Sequence, residues 1–318
     1  MSQTILFDAE ETRQLEDLGK RPKRLGGDRL LWVDLDRDNP DEVEQVAAVL
    51  DLDDVTRARL AEAHDHPAFR DRGRYLHITT YAPRADDGAD LHAVECVVGE
   101  NWVVTAHDEP VPVLEDFASR VSGSGDTGSL DGPGFLAALL EWVLGSYTEA
   151  FERIEERLEE FDVEAMRGNG TEDDIDTLVS MRRHVGHLRR ALAAHRTALV
   201  ALTHPELGPF GDHGSSERFV SLFARFESTL QEARDAREAI VGSFDVLIAR
   251  SGHEMNHVMK ILTLVSVILL PGALVAGVMG MNFKVGLFDH PQLFWVVVVG
   301  IVAVAPLTLG LARMRRWI

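Results

Sequence analysis

Cysteine and positive charge are both scarce in this sequence. Cys96 is the single cysteine among 318 residues, which excludes an intramolecular disulfide and a zinc site built from several cysteines. The 52 aspartates and glutamates outnumber the 32 lysines and arginines, for a formal net charge of −20. A chain of this charge attracts cations and is a poor partner for nucleic acid or an anionic membrane surface. The N-terminal stretch MSQTILFDAEE has neither the basic nor the apolar part of a secretory signal, so we expect the region before the first apolar run to stay in the cytoplasm.

Two uncharged apolar runs near the C-terminus are long enough to cross a membrane. They comprise residues 261–281 and 293–312, and about 20 residues at about 1.5 Å each span a hydrocarbon core about 30 Å thick. Neither run keeps the polar stripe of a helix on a soluble core. Two buried core helices are the alternative. We expect two transmembrane helices joined by a short external loop at residues 282–292.

The charges around these runs predict their orientation. Lys260 precedes the first run, and a basic tail at residues 313–318 follows the second. The loop between them has only Lys284 against Asp289. Because basic residues favour the cytoplasmic side, we expect both termini in the cytoplasm and the loop outside.

Residues 1–122 are predicted to form a cytoplasmic α/β domain. Apolar, β-rich runs at residues 30–35, 75–81, 91–98 and 102–106 predict strands, with a hairpin turn at 99–101. Asn39 followed by Pro40 predicts a helix start, with Asn39 as the cap. The expected fold is a sheet covered by helices.

A linker rich in glycine, serine and aspartate is predicted at residues 123–134. It contains Gly123-Ser124-Gly125-Asp126-Thr127-Gly128, a literal G-x-G-x-x-G. That motif binds a dinucleotide when a strand enters the loop and a helix leaves it. Here a helix-like segment enters and more loop follows, so we do not expect nucleotide binding.

Residues 135–205 are predicted to form an antiparallel helical hairpin with an acidic tip. Its helices are expected from residue 135 to about 167 and from 171 to about 203, around a turn at 168–170; Thr171 followed by Asp174 resembles a capping box. Residues 149–176 hold twelve acids and three arginines. This segment is either a solvated helix face or an electrostatic collector of divalent cations.

A stalk helix is predicted over residues 215–281, running directly into the first membrane span. At about 67 residues it would be about 100 Å long, and a helix of that length needs partner chains to be stable.

Three segments carry a resemblance to a known family. Gly280-Met281-Asn282 ends the first apolar run, and residues 255–263 and 276–283 extend the match around it. The tripeptide, the short loop, the last span and the basic end together resemble the CorA family of divalent-cation channels. The resemblance covers the whole chain, more loosely at Trp32-Val33-Asp34-Leu35 and at residues 102–107.

The resemblance implies a funnel-shaped homopentamer in the inner membrane of a bacterium or archaeon. It implies influx of Mg²⁺, and also of Co²⁺ or Ni²⁺, through a pore lined by the first transmembrane helix. Cytoplasmic metal bound between subunits would hold this pore closed, although the sequence does not identify its ligands. These ions are substrates and regulators; no cofactor, no catalytic residue and no nucleic-acid partner is expected, and the partners are further copies of the chain, lipid and divalent cations.

The same resemblance assigns roles along the first span. The selectivity filter would be Gly280, Met281 and Asn282, whose oxygens accept hydrogen bonds from a hydrated ion. Asp245 would form a cation ring at the inner entrance. The pore-lining residues would be Asn256, Met259, Leu262, Ser266, Leu270 and Ala273, although helical spacing taken alone favours a packing face. Met259, Leu262 and Leu270 would form an apolar constriction that gates by dewetting.

Two departures from the family leave the transported ion open. Ala273 stands where the family places a threonine, and the external loop has a lysine and a single aspartate where magnesium channels commonly carry a glutamate. A proton-coupled Zn²⁺ transporter of the ZntB branch is therefore the alternative. Met281 favours the magnesium, cobalt and nickel side, because the zinc branch typically replaces this methionine.

His253-Glu254-Met255-Asn256-His257 is a literal H-E-x-x-H, the zinc-binding pattern of a metalloprotease. A membrane protease using His253, Glu254 and His257 is thus a distant alternative function, and no compelling third ligand follows in the sequence. His253 and His257 are also candidates for binding a regulatory ion or sensing pH.

Overall fold

The computed structural model describes residues 3–8, 12–15, 29–62, 67–84, 91–123, 131–167, 172–204, 213–281 and 291–314. Its contacts divide the chain into two compact units, Met1–Ser243 and Phe244–Ile318. The first unit contains a mixed α/β fold, and the second contains two apolar helical segments, as the sequence predicts.

The described residues of the first unit form one sheet of seven strands, in the order β2-β1-β3-β7-β6-β5-β4. Only β3 and β7 pair in parallel; the other neighbours are antiparallel. The strands are β1 (Gln3–Asp8), β2 (Thr12–Leu15), β3 (Arg29–Asp36), β4 (Phe69–Asp71), β5 (Leu76–Pro83), β6 (Leu91–Val98) and β7 (Trp102–His107). The four predicted strands correspond to β3, β5, β6 and β7, and the predicted turn joins β6 to β7.

Helices cover the sheet on both faces, so the side chains of its central strands are buried on both sides. On one face, Leu31, Val33 and Val104 join residues of the first two helices in a buried core. On the other, Trp32 packs against Phe117 and Phe135 at ring distances of 5.8 and 5.3 Å. The helices of this unit before the stalk are α1 (Pro40–Leu50), α2 (Asp54–Ala61), α3 (Pro112–Gly123), α4 (Gly132–Arg167), α5 (Glu172–Ala194) and α6 (Arg196–Leu202).

Two predictions about helix starts meet different outcomes. Pro40 opens α1 as predicted, but the side chain of Asn39 makes no cap hydrogen bond, so that part of the prediction is wrong. At the start of the next helix, α2, the Asp53 side chain does act as a cap: it accepts a hydrogen bond from the backbone N–H of Thr56 at 2.7 Å. The predicted capping box at Thr171 and most of the linker lie outside the described residues.

The prediction of one helix over residues 171–203 is wrong, because His195 interrupts it. The His195 side chain is buried against β5, where Nε2 accepts a hydrogen bond from the Tyr81 N–H at 2.9 Å. Nδ1 lies 2.8 Å from the carbonyl oxygen of Ala191, to which it donates. Burial lowers the pKa of His195 to about 4, so the ring is neutral and can make both bonds. The break therefore follows from fixing α5 and α6 to the sheet.

The long helix predicted from the sequence is α7 (His213–Met279), with 67 residues and Pro271 in its interior. The division between the two units falls inside it, after Ser243. The last helix is α8 (Pro291–Met314), with Pro306 in its interior. The predicted domain boundaries remain predictions.

Candidate functional site

Helices α7 and α8 each contain a segment suited to a membrane. An 18-residue window in each has a mean hydropathy of 2.5 or 2.4, and 0% or 6% of that window is buried. Large apolar side chains such as Leu270 and Trp295 are 70% and 66% exposed. The alternative of two buried core helices is therefore wrong, since a soluble protein rarely exposes so large an apolar surface.

The predicted pore-lining residues are exposed along one side of α7. At about 100° per residue, Met259, Leu262, Ser266, Leu270 and Ala273 fall within an arc of about 80°, and Asn256 lies about 40° beyond its edge. All six are exposed within the single chain.

The residues of this segment that are partly covered lie on the other side of α7. They are Leu264, Ile268, Gly272 and Met279, and their arc is centred about 160° from that of the predicted pore face. At Gly272 a Cβ would lie 3.0 Å from Ile301 Cγ2, so α8 approaches α7 at this glycine. The described residues of α8 that are intermediate or buried recur at helical spacing: Val297, Val298, Ile301, Val304, Ala305, Thr308 and Ala312.

The hydroxyl of Ser266 is hydrogen-bonded within its own helix. It donates to the carbonyl oxygen of Leu262 at 2.9 Å. Its oxygen keeps lone pairs that can accept a hydrogen bond from another donor. Among the six predicted pore-lining residues, Ser266 is the only one that carries a hydroxyl.

Helix α7 ends at the start of the predicted filter. Gly280 donates from its backbone N–H to Ala276 at 2.9 Å, and Met281 donates to Val278 at 3.2 Å. A Cβ on Gly280 would lie 3.3 Å from the Ala276 carbonyl oxygen, so glycine suits this close approach. Met281 is 53% exposed. Asn282 and the loop to residue 290 lie outside the described residues, so the filter stays a prediction.

Asp245 is exposed on α7, close to the helical face that includes Asn256. Eleven residues separate them, or about 16 Å along the axis. The spacing is compatible with a carboxylate ahead of the apolar segment, and the predicted cation ring stays a prediction.

The H-E-x-x-H motif lies on exposed helix, but its glutamate is engaged elsewhere. The Glu254 carboxylate pairs with Arg250 Nε at 3.2 Å, one turn away. Within the described part of the chain, no three histidine, cysteine, aspartate or glutamate side chains are grouped so that they could hold a metal. The protease hypothesis therefore gains no third zinc ligand from these residues.

Carboxylates of α4 and α7 meet in the first unit, which the sequence did not predict. Burial, and then the nearby Asp235, Glu152 and Glu232, raise the pKa of Glu155. Glu232 also accepts a hydrogen bond from the Thr148 hydroxyl at 3.0 Å. The acidic segment of α4 thus faces further acids on α7. No local pattern reveals this pairing, because the two helices are far apart in sequence.

A buried polar network joins the two sheet segments that carry the weaker family resemblance. Trp32 Nε1 donates to Thr105 Oγ1 at 3.0 Å, and the Thr105 hydroxyl donates to Asp34. His107 Nε2 lies 3.3 Å from the same carboxylate. Burial by itself would lower the pKa of His107, but the hydrogen bond and charge of Asp34 raise it overall. These contacts fix β3 beside β7.

A family model and known proteins match nearly the whole chain. The model described as "CorA-like Mg2+ transporter protein" matches residues 27–312. The cobalt/magnesium transport protein CorA of Methanocaldococcus jannaschii is 22% identical over 293 residues, covering 91% of this chain and 92% of that protein.

Two solved structures share the fold. The complete structure of the CorA magnesium transporter from M. jannaschii superimposes with a TM-score of 0.81 at 19% identity, covering 100% of this chain and 99% of that one. The ZntB cytoplasmic domain from Vibrio parahaemolyticus gives a TM-score of 0.62 at 11% identity, covering 79% and 98%. At these identities the structural likeness shows the fold alone.

Proposed function

The chain belongs to the CorA family of Mg²⁺ transporter proteins, and from that premise we propose that it is a channel admitting Mg²⁺, and also Co²⁺ or Ni²⁺, into the cell. The observation that carries this proposal is the division of α7 into two faces. The face turned toward α8 is partly covered, while the opposite face, with Ser266 among apolar residues, stays exposed within one chain. Such a face suits a water-filled path at the centre of an assembly.

The assembly is proposed to be a homopentamer embedded in the inner membrane. Support comes from the long helix α7, which carries apolar side chains that a single chain leaves uncovered. Apolar residues along its length remain exposed in one chain, including Val220 at 53%, Val241 at 42% and Ile248 at 69%. Further copies would bury this surface. The basic residues beside both spans favour cytoplasmic termini.

Ion selection is proposed to occur at Gly280, Met281 and Asn282. Mg²⁺ dehydrates reluctantly, so neutral carbonyl and amide oxygens can hold it through its water shell. Below this filter, Met259, Leu262 and Leu270 would close the path by excluding water, and Asp245 would concentrate cations at the inner end. No step requires a catalytic residue.

Closure by cytoplasmic metal is part of the proposal. The acids of α4 and α7 support it through their charge, which attracts dications, although within the described residues of one chain they form no group that could hold a metal ion. The ligands between subunits remain unassigned.

A proton-coupled Zn²⁺ transporter of the ZntB type is the second candidate. The external loop favours it, since Lys284 and the single Asp289 make that loop poor in acid. The likeness to the ZntB cytoplasmic domain concerns the fold, which CorA shares.

Mg²⁺ uptake into proteoliposomes tests the proposed filter. Asn282→Ala removes the proposed amide ligand and should abolish uptake, whereas Gln292→Ala removes an exposed amide from the first turn of α8 and should leave uptake unchanged. Equal Mg²⁺ uptake by the wild type, Asn282→Ala and Gln292→Ala would contradict the filter assignment.

A further inference from the structure

Two histidines on α7 are left without a role by the proposed ion path. His253 and His257 lie four residues apart on a continuous helix, and both are exposed.

The spacing suits coordination of one metal ion by two imidazoles. Residues at i and i+4 on a helix have Cβ atoms about 5–6 Å apart on one face. Imidazole nitrogens bind Zn²⁺ at about 2.0–2.1 Å, and the metal can bridge two rings held at this separation. Because both residues lie within α7, little backbone ordering is required on binding.

The surroundings select the class of metal. The Glu254 carboxylate is paired with Arg250 at 3.2 Å, so it is drawn away from the histidines. Arg250 and Lys260 place positive charge one turn before and after the pair. A hard ion such as Mg²⁺, which prefers oxygen ligands, finds little to bind here. Transition-metal dications gain coordinate bonds from imidazole that do not depend on negative charge.

The pair also lies away from the proposed ion path. At about 100° per residue, its centre is about 160° from the centre of the predicted pore face. It shares the side of α7 that carries the partly covered Leu264 and Ile268. Removing either imidazole should therefore leave Mg²⁺ passage intact.

We propose that His253 and His257 bind one transition-metal dication of the Zn²⁺, Co²⁺, Ni²⁺ or Cu²⁺ class, completed by water, on the face of α7 opposite the predicted pore. The site is separate from the ions that pass through the channel. Binding itself does not depend on the proposed transport function; only the placement away from the ion path does.

Cu²⁺ is the probe for the test, with the full-length protein in detergent. Electron paramagnetic resonance reports how many imidazole nitrogens bind the copper, and Zn²⁺ and Mg²⁺ are then added as competitors. The proteins compared are the wild type, His257→Ala, and two rescue designs that keep the count of 13 histidines. One combines His257→Ala with Ala249→His, which restores an i,i+4 pair at an exposed position. The other combines His257→Ala with Met255→His, which places the rings at i,i+2, where they do not face each other.

The wild type and the Ala249→His design should show one copper site per chain with two nitrogen ligands, from which copper is displaced by a large excess of Zn²⁺ and not by the same excess of Mg²⁺. The His257→Ala variant and the Met255→His design should lack this two-nitrogen copper site. The same copper signal in all four proteins, or displacement by Mg²⁺, would overturn the proposal. Mg²⁺ uptake is measured in parallel on the wild type and His257→Ala. Failure of wild-type uptake would count against the channel and leave the copper result standing, whereas loss of uptake only in His257→Ala would overturn the placement away from the path.

Discussion

Replacing Leu270 with serine tests whether the exposed face of α7 lines a water path. Leu270 is 70% exposed in the single chain. Full burial of a leucine side chain is worth about 1.5–3 kcal/mol, so wetting this fraction costs about 1–2 kcal/mol per chain. In the proposed pentamer, five such side chains would hold the constriction dry. Serine removes most of this cost.

The expected effect is a channel that fails to close. The wetting cost of a single Leu270 side chain, about 1.4 kcal/mol, already changes the ratio of water-filled to dry pores about tenfold. We therefore expect Leu270→Ser to raise the ion current across a lipid bilayer at least about tenfold under high cytoplasmic Mg²⁺, where the wild type should be closed.

Leu264→Ser is the matched control. Leu264 is another leucine of the same span, turned about 120° from Leu270 and partly covered. Its replacement should leave the closed-state current unchanged. An equal rise in both variants, or no rise in Leu270→Ser, would refute the assignment of the two faces.

Three further predictions concern the fold. Asp34 raises the pKa of His107, so the stability that their pairing contributes is complete below the unfolded pKa of about 6.5 and is lost as the pH rises through the folded pKa. The melting temperature should therefore fall over that pH interval. The fall should be smaller in His107→Gln. Gly132→Ala should lower the melting temperature, because the added Cβ would lie 2.0 Å from the backbone oxygen of Gly99. Gly145→Ala, in the same helix but with room for the added Cβ, should raise the stability by about 1 kcal/mol. Equal melting curves for the two variants would contradict the close packing at Gly132. Gly272→Leu should separate α7 from α8 and abolish Mg²⁺ uptake, whereas Gly272→Ala should be tolerated after a small shift of Ile301. Full uptake by Gly272→Leu would count against the contact between Gly272 and Ile301.

The sequence predicts β3, β5, β6 and β7 and misses β1, β2 and β4, of which β2 and β4 are the two edge strands. Strands β3, β5, β6 and β7 are long apolar runs, so composition alone indicates them. Strand β4 has three residues and β2 has four, with polar side chains, and their pairing depends on neighbours in the sheet. Such strands form because the sheet offers them partners, which no local pattern reveals.

His195 and Asn39 show why local helix signals are incomplete. The apolar spacing continues past His195, yet its ring is fixed to β5 from outside the helix. Asparagine is a favoured cap residue, but at Asn39, where φ is −111° and ψ is 82°, the side chain makes no cap hydrogen bond. In both cases tertiary placement decides the outcome.

For the candidate site, the sequence predicts a helical face but not its environment. The spacing from Met259 to Ala273 fits either a pore or a packing surface, and taken alone it favours packing. Packing of α8 on the opposite side, at Gly272, is what distinguishes the two, and this contact depends on residues far apart along the chain. The facing acids at Glu155 and Asp235 escaped prediction for the same reason.

The driving force for uptake is the measurement that tests the central claim most directly. Proteoliposomes containing the wild-type protein would carry Mg²⁺ and Zn²⁺ reporters, with either a membrane potential or a pH gradient imposed. A channel of the proposed kind should admit Mg²⁺ under an inside-negative potential with no pH gradient. Zn²⁺ entry that requires the pH gradient, without potential-driven Mg²⁺ entry, would contradict it and establish the zinc-transporter alternative.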